Sequence, residues 1–203
     1  MSIRSHMKGL LFMLSFLLIA FVPPTDVQTT WVVETGSRLV IDGSSNVNTF
    51  SCVVKKYLHC DTLRMFAEGR TRRLRFSQCT IHIDVGQIDC SHRFITSDLR
   101  KTLKYPEYAY MKIHFVSLDD PFPVTASQRI RGVVDIELAG RTKRIDLWFD
   151  VSHQASGRLL HLSGQKEIMF SDFKLEPPSK MAGMIRIHEE LKVNVDLFFR
   201  RAG

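Results

Sequence analysis

The side chains that could carry out chemistry are scattered through this sequence of 203 residues. Among its eight histidines, His82, His114 and His188 lie in stretches that alternate like strands, and His153 and His161 flank a turn. No two stand at metal-ligand spacing on one face of a segment, so a metal site would need ligands from several strands. The sequence therefore predicts no metal site.

Motifs for nucleophilic and acid–base catalysis are missing from the sequence as well. A serine nucleophile needs a sharp elbow such as G-x-S-x-G, and the Gly-Ser-Ser-Asn segment at 43–46 does not have that spacing. The pairs Asp119-Asp120 and Glu189-Glu190 are adjacent in sequence, so their side chains point apart on a strand or lie in a turn. We therefore expect no catalytic residues and no enzyme activity.

A basic cluster at Arg70, Arg72, Arg73 and Arg75 could contact an anionic headgroup, because guanidinium groups bind phosphate in bidentate fashion. A solvated strand edge is the simpler interpretation. Nucleic-acid binding would need aromatic side chains interleaved for base stacking, and Phe76 is the only one in that stretch. We expect no nucleic-acid partner.

Composition and the N-terminal segment indicate an exported, folded protein. The apolar fraction is 44% and the charged fraction 24%, which are ordinary for globular domains, and the formal net charge of +7 specifies no ligand. Basic residues precede an apolar run at 9–22 that two prolines end, and this run is shorter than the roughly 20 residues that cross a bilayer. We predict a signal peptide and short linker at 1–30, and one periplasmic or secreted domain at 31–203.

Export changes the interpretation of the four cysteines, because an oxidising compartment permits disulfides. Cys52, Cys60, Cys79 and Cys90 allow three pairings, and their spacing does not choose among them. A zinc site is the alternative, but the sequence contains no C-x-x-C pair.

Alternation of apolar and polar residues follows the N-terminal segment nearly everywhere and predicts strands with one buried face. It is clearest at 191–199, and further strands are predicted near 159–170 and 184–188. The best hairpin joins 130–138 to 145–151. We expect eight or nine antiparallel strands in an all-β barrel or sandwich, because short connections favour antiparallel pairing.

One turn and one helix complete the predicted elements. The hairpin turns at Ala139-Gly140-Arg141, where Gly140 adopts a positive φ without strain. The segment 97–104 predicts a helix, because Leu99 and Leu103 lie four residues apart on one face. Ser97 suits its N-cap, and Pro106 would end it.

The order of four segments matches a known family. Residues 43–52 are similar to its G-T-S-N-V-N-x-F-x-C start, and 88–106 to its F-D-C, x-D-M-x-x-A-L-K and Y-P runs. Residues 132–145 are similar to its G-x-L-x-I-x-G-x-T-K segment, and 171–178 to its S-D-F-x-I-x-P-P ending. From about residue 31 to 199, the chain thus resembles the exported YceI-like proteins of Bacteroidetes-type bacteria.

This resemblance implies an extended, lipocalin-like antiparallel barrel of about eight strands with one short helix, whose interior is an apolar tunnel for a polyisoprenoid chain. It implies a protein that sequesters or transports an isoprenoid quinone, a prenyl lipid or another apolar lipid, with no cofactor required. Burying such a chain is favourable by about 0.8 kcal/mol per CH₂. The candidate tunnel-lining residues are Phe50, Phe76, Ile113, Phe115, Ile136, Leu147, Phe149, Phe170, Phe173, Val195 and Leu197.

The resemblance also bears on the cysteines and on the polar motif residues. It implies a Cys52–Cys90 disulfide, which leaves Cys60 for Cys79. The polar residues of the matching motifs are expected to hold turns and caps rather than contact ligand: Ser45, Asn46, Asn48, Asp98 and Asp172.

Two classes of function remain. The first is a lipid carrier, monomeric or homodimeric, whose candidate partner is a membrane redox protein, since some relatives accompany cytochrome b561-type proteins. The second is a structural or interaction module of the cell envelope with a filled barrel and no ligand. A continuous apolar cavity of roughly 300–1,000 Å³ would favour the carrier, and a packed interior would favour the module.

Overall fold

A computed structural model describes residues 28–54, 62–68, 73–77, 80–119, 127–154, 158–180 and 184–202. The strands in these ranges are β1 (Gln28–Val33), β2 (Arg38–Ser45), β3 (Thr49–Val54), β4 (Thr62–Glu68), β5 (Arg73–Ser77), β6 (Thr80–Asp84), β7 (Ile88–Asp89), β8 (Tyr110–Asp119), β9 (Gln128–Leu138), β10 (Arg141–Gln154), β11 (Leu159–Met169), β12 (Ser179–Lys180) and β13 (Ile185–Arg201). Helix α1 covers Arg93–Thr102, and 3-10 turns cover Val85–Gln87 and Phe170–Phe173. None of the described helices has the length and apolar character needed to span a bilayer.

Eight strands close into an antiparallel ring in the order β1, β4, β5, β8, β9, β10, β11 and β13, and β13 pairs back with β1. Alternate side chains of each strand point into the ring, as Met111, Ile113 and Phe115 of β8 do. The core therefore lies inside the ring. This arrangement confirms the predicted all-β antiparallel barrel with one helix.

Two long strands, β8 and β13, extend the barrel beyond the ring. β13 pairs with β1 near its end and with β2 along Ile187–Asp196, while β8 pairs with β5 and then with β6. The prediction of separate strands at 184–188 and 191–199 is wrong, because β13 is one strand of 17 residues. Its register shifts between Ile187 and Leu191, where Glu189-Glu190 interrupts the apolar alternation.

The predicted hairpin is confirmed as β9 and β10, which pair along their full common length. The turn has two residues, Ala139 (φ 48°) and Gly140 (φ 75°), and Arg141 already belongs to β10. Positive φ at both positions is the conformation of a tight hairpin turn whose twist matches that of the strands.

The predicted start of the helix is wrong, because α1 begins at Arg93 with His92 as its N-cap. The turn before it is held by Asp89, whose Oδ1 accepts hydrogen bonds from the Ser91 amide and the Thr96 hydroxyl. The Thr96 hydroxyl oxygen also accepts from the Cys90 amide, at 2.9 Å. The first helical turn contains aromatic and β-branched residues, which have low helix propensity and hide it from sequence patterns.

The helix ends earlier than predicted as well. α1 stops at Thr102, and Lys104 has φ 58°, so the backbone leaves the helical conformation before Pro106. Ser97 and Asp98 consequently lie inside the helix rather than at its cap. The expectation that Asp98 holds a cap is therefore wrong.

One part of the barrel interior is filled by phenylalanines that pack against one another. The Phe115 ring lies 6.1 Å from that of Phe149 and 6.5 Å from that of Phe199. Phe149 lies against Gly132 of β9 and Gly164 of β11, where an added Cβ would come within 2.6 Å and 2.9 Å of its ring. Because Gly132 and Gly164 have no side chains, the two strands beside β10 leave room for the Phe149 ring.

We predict that Gly132→Ala destabilises the protein by about 1–3 kcal/mol, because the new methyl group overlaps Phe149 and also Leu118, 2.7 Å away. Gly36→Ala is the matched control, since its methyl group meets Phe198 at an ordinary 3.6 Å. Urea unfolding of both variants measures the difference. Equal stabilities would show that the Phe149 site tolerates expansion.

A disulfide joins Cys52 of β3 to Cys90, just before α1, and confirms the pairing that the resemblance implied. Both cysteines are buried. The other predicted pair, Cys60 and Cys79, lies outside the described residues. The bond holds the turn before α1 against β3.

We predict that Cys52→Ala/Cys90→Ala lowers the free energy of unfolding by about 2–4 kcal/mol, because the bond closes a loop with a sequence separation of 38. The double variant keeps Cys60 and Cys79 as in the wild type, so its comparison isolates this bond. Urea unfolding under oxidising conditions is the measurement. Unchanged stability would contradict a structural role for the bond.

Candidate functional site

An apolar cavity of about 70 Å³ lies inside the barrel. Leu99 of α1, Leu103 just after the helix and the phenylalanines of the packed region contribute to its wall. The lining residues are Leu39, Ile41, Ile88, Leu99, Leu103, Met111, Ile113, Phe115, Val134, Ile136, Leu138, Ile145, Leu147, Phe149, Lys166, Ile168, Leu191, Val193, Val195 and Leu197. Nineteen of these twenty side chains are hydrocarbon or thioether, so the cavity matches a ligand without polar groups.

Seven of the eleven predicted lining residues reach this cavity: Ile113, Phe115, Ile136, Leu147, Phe149, Val195 and Leu197. The other four lie elsewhere in the fold. Phe50 covers Gly43, Phe76 packs against the Phe115 ring at 5.6 Å, and Phe170 and Phe173 are buried in the second 3-10 turn. The ligand-binding role of all eleven stays a prediction.

Sequence reasoning missed the helix and the aliphatic residues of several strands as parts of the wall. Leu99 and Leu103 had been recognised as one face of a helix, and that face contributes to the cavity. Residues such as Leu39, Ile41 and Ile145 lie at inward positions of alternating strands. The alternation predicts their burial, but it does not show which buried residues border a cavity.

The barrel wall opens between β10 and β11. Residues Phe149–Gln154 of β10 pair with Leu159–Gly164 of β11, and beyond Gly164 the pairing between these described strands ends. The remaining part of β11 stays paired with β13, and β10 stays paired with β9, so the two strands diverge. The 3-10 turn Phe170–Phe173 packs into part of this gap.

Lys166 lies at this opening. Leu160, Leu162 and Ile168 are the buried, inward-facing residues of β11, and Lys166 shares their register. Its side chain is nonetheless exposed and borders the cavity. A lysine at an inward position is compatible with the fold because β10 diverges from β11 here, so water reaches the ammonium group.

A second charged group at the opening is the Lys143–Asp172 ion pair, which bridges β10 and the 3-10 turn. The hydrogen bond from Lys143 holds the pKa of Asp172 below its usual value. Burial opposes this shift, while the Met169 amide hydrogen bond and the positive charges of Lys143 and Lys166 support it. Asp172 thus ties the turn to the barrel, as expected of a motif residue that holds a turn.

The polar motif residues at the start of the match also hold turns. Ser45 Oγ accepts hydrogen bonds from the amides of Val47 and Asn48. Asn46 joins this turn to β13 through the Met184 carbonyl and the Arg186 amide, and Asn48 Oδ1 accepts from the next amide along the chain. The expected turn roles of Ser45, Asn46 and Asn48 are confirmed.

Other candidate chemistry has little structural support in the described part of the chain. Arg73 is solvated and faces Asp119 at 3.9 Å, but β5 is paired on both sides, so Arg73 does not lie at a strand edge; Arg70 and Arg72 lie outside the described residues. Within the described ranges, no three His, Cys, Asp or Glu residues come together as a metal site. The absence of a metal stays a prediction.

Comparison with known proteins tests the fold. No protein-family model matches the chain, and a search of curated proteins finds no match. Among solved structures, a polyisoprenoid-binding domain from Saccharophagus degradans implicated in plant cell wall breakdown superposes with a TM-score of 0.62 at 12% identity. The match covers 86% of this chain and 99% of that one.

The YceI protein of Campylobacter jejuni matches with a TM-score of 0.52 at 14% identity, over 75% of this chain and 84% of that one. The chain has the YceI-like fold. BcnA of Burkholderia cenocepacia matches with a TM-score of 0.56 at 12% identity, over 80% and 95%. The resemblance inferred from the sequence motifs is therefore confirmed at the level of the YceI-like fold.

We predict that Asp172→Asn lowers the free energy of unfolding by about 0.5–1 kcal/mol at pH 7, because the partly exposed Lys143 pair is lost. The folded-state pKa of Asp172 lies below the unfolded value, so this stabilisation is present above the unfolded pKa, about 3.9. It is lost as the pH falls through the folded-state pKa. Thermal unfolding at pH 7 and at pH 2 measures both.

The matched control is Asp150→Asn, an exposed carboxylate on the outer face of β10. Its effect should be close to zero at both pH values. A deficit of Asp172→Asn that persists unchanged at pH 2 would show that the ionised form of Asp172 does not provide the stabilisation.

Proposed function

We propose that this protein is an exported lipid-binding protein that sequesters or transports a polyisoprenoid-type lipid, such as an isoprenoid quinone or a prenyl lipid, inside its barrel. The observation that carries the proposal is an apolar cavity within a YceI-like barrel. The polyisoprenoid-binding domain that shares the fold supports the same class of ligand. No reaction is assigned, because binding alone accounts for the cavity.

The export part of the proposal rests on the N-terminal segment, whose apolar run and preceding basic residues are typical of a signal peptide. A periplasmic or secreted location is consistent with a buried disulfide between Cys52 and Cys90, because such bonds persist in oxidising compartments. A membrane redox protein remains the candidate recipient of the lipid.

The cavity volume sets a condition on binding. About 70 Å³ is less than the roughly 300–1,000 Å³ typical of small-molecule pockets, so a chain that enters must displace lining side chains. Met111, Leu103 and Leu138 are flexible residues that can change rotamer. At about 24 cal/mol per Å³, an empty apolar cavity of this volume costs roughly 2 kcal/mol, which a ligand that fills it recovers.

The same volume favours the second candidate function, a structural or interaction module of the cell envelope without ligand. In that case the barrel is filled by its own side chains and the remaining space is a packing defect. The two candidates differ in one observable, the presence of a lipid in the purified protein.

We predict that mature protein purified from the exporting cell releases an isoprenoid lipid on organic extraction and mass spectrometry. Val193→Phe should reduce this lipid at least fivefold, because a phenyl ring added at a lining position occupies the small cavity. Val53→Phe is the matched control, since Val53 is 40% exposed and lies outside the cavity wall.

Thermal unfolding identifies variants that fail to fold before extraction. A wild-type barrel that repeatedly purifies empty and takes up no isoprenoid quinone in solution would overturn the carrier and leave the structural module. If both variants release equal amounts of lipid, the ligand does not bind in this cavity.

A further inference from the structure

The position of Lys166 is not explained by the packing of the barrel. It occupies an inward register position between Gly164 and Ile168, and it is the only charged residue on the cavity wall in the described part of the chain. Lysine is among the residues least often placed on the inner face of a barrel strand, because burial of its charge is costly. Here the cost is avoided, since the divergence of β10 and β11 leaves the ammonium group at the surface.

Two acidic groups near the opening, Asp172 and Glu189, already have partners. Asp172 is held by Lys143 and by the Met169 amide, and Glu189 Oε1 accepts a 2.6 Å hydrogen bond from the Ser171 amide. Lys166 forms no ion pair with any described residue, although its charge contributes to lowering the pKa of Asp172. The opening thus keeps one cationic donor that forms no ion pair within the described part of the chain.

We propose that the opening between β10 and β11 binds the anionic headgroup of a single-chain amphiphile, with Lys166 contacting the headgroup and the apolar tail lying in the cavity. This inference rests on the proposed lipid-binding function and specifies the chemical class of the ligand. The ligand carries a phosphate or carboxylate at one end of its chain. A neutral quinone or alcohol would leave the ammonium group without an ionic partner.

The distribution of polar and apolar groups supports this orientation. The methylene stem of Lys166 covers the rim of the cavity, while its ammonium group provides three hydrogen-bond donors at the surface. Hydrogen bonds between charged groups are about twice as strong as neutral ones. Because the site is open to water, we expect a preference of about fivefold to tenfold for the anionic ligand, weakening as salt is added.

The test uses three probes with the delipidated full-length mature protein. Farnesyl phosphate and farnesol share one isoprenoid tail and differ in headgroup charge, and inorganic phosphate supplies the charge without the tail. Equilibrium binding is measured at low and high salt. We expect farnesyl phosphate to bind about fivefold to tenfold more tightly than farnesol at low salt, and inorganic phosphate not to bind measurably at 1 mM.

The variants separate the charge of Lys166 from its stem. Lys166→Met keeps an apolar stem and should remove the preference, so that farnesyl phosphate and farnesol bind with similar affinity. Lys166→Arg keeps the charge and should retain the preference. Lys192→Met is the matched control, because Lys192 is an exposed residue on the outer face of β13.

The possible outcomes separate the headgroup site from the lipid-binding proposal. If farnesyl phosphate and farnesol bind equally, or if Lys166→Met keeps the preference, the headgroup site is overturned and the lipid-binding proposal stands. If neither farnesyl compound binds, both proposals fall. If inorganic phosphate binds as tightly as farnesyl phosphate, the site recognises free phosphate and the amphiphile is overturned.

Discussion

The packing of Phe149 between two glycines is the constraint on which the barrel interior depends. Phe149 is 2% exposed, and its ring occupies the space that side chains on Gly132 and Gly164 would fill. With Phe115 and Phe199 it forms a solid aromatic region that closes one part of the interior. The remaining interior is bordered by shorter aliphatic residues, by Leu99 of α1 and by Leu103 just after it, and there the cavity is found. The interior is therefore filled where large aromatic side chains pack against glycines, and it contains a cavity where the side chains are shorter.

The contact between Phe149 and Gly164 also marks the place where the barrel wall opens. Gly164 is the last residue of β11 that pairs with β10, directly opposite Phe149. Beyond it the two strands separate, and the buried phenylalanines of the 3-10 turn occupy part of the gap. The ion pair of Asp172 with Lys143 then fastens that turn to β10. An aromatic residue in the core and a charged pair at the surface therefore lie on either side of the place where the wall opens.

The sequence predicts the parts of the fold that depend on local pattern. The hairpin around Gly140 and the long alternation before Phe199 were visible because turn chemistry and period-two burial are local properties. The start of α1 does not follow from local pattern, since it depends on hydrogen bonds that Asp89 accepts from groups up to seven residues away. The sequence predicts the turn role of Asn46, but its partners, Met184 just before β13 and Arg186 within it, lie 138 and 140 residues along the chain.

The sequence likewise predicts some residues of the candidate site and not others. Alternation identifies residues such as Ile113 and Val195 as inward-facing, yet burial against a neighbour and burial at a cavity wall have the same sequence signature. Lys166 breaks the alternation of β11, and in sequence such a break is indistinguishable from a strand end. Only the separation of two strands that are adjacent in the ring shows why a charge is tolerated there.

A cavity smaller than its ligand is physically consistent with a carrier that must also release its cargo. Burying a chain at about 0.8 kcal/mol per CH₂ would, over several isoprene units, give retention too tight for exchange. If side chains such as Met111 and Leu103 must first move, the binding-competent state is only a fraction of the population, and the apparent affinity falls by that fraction. The marginal volume therefore reduces affinity where a carrier needs it reduced, and the rigid Phe149 region preserves the fold while the lining adjusts.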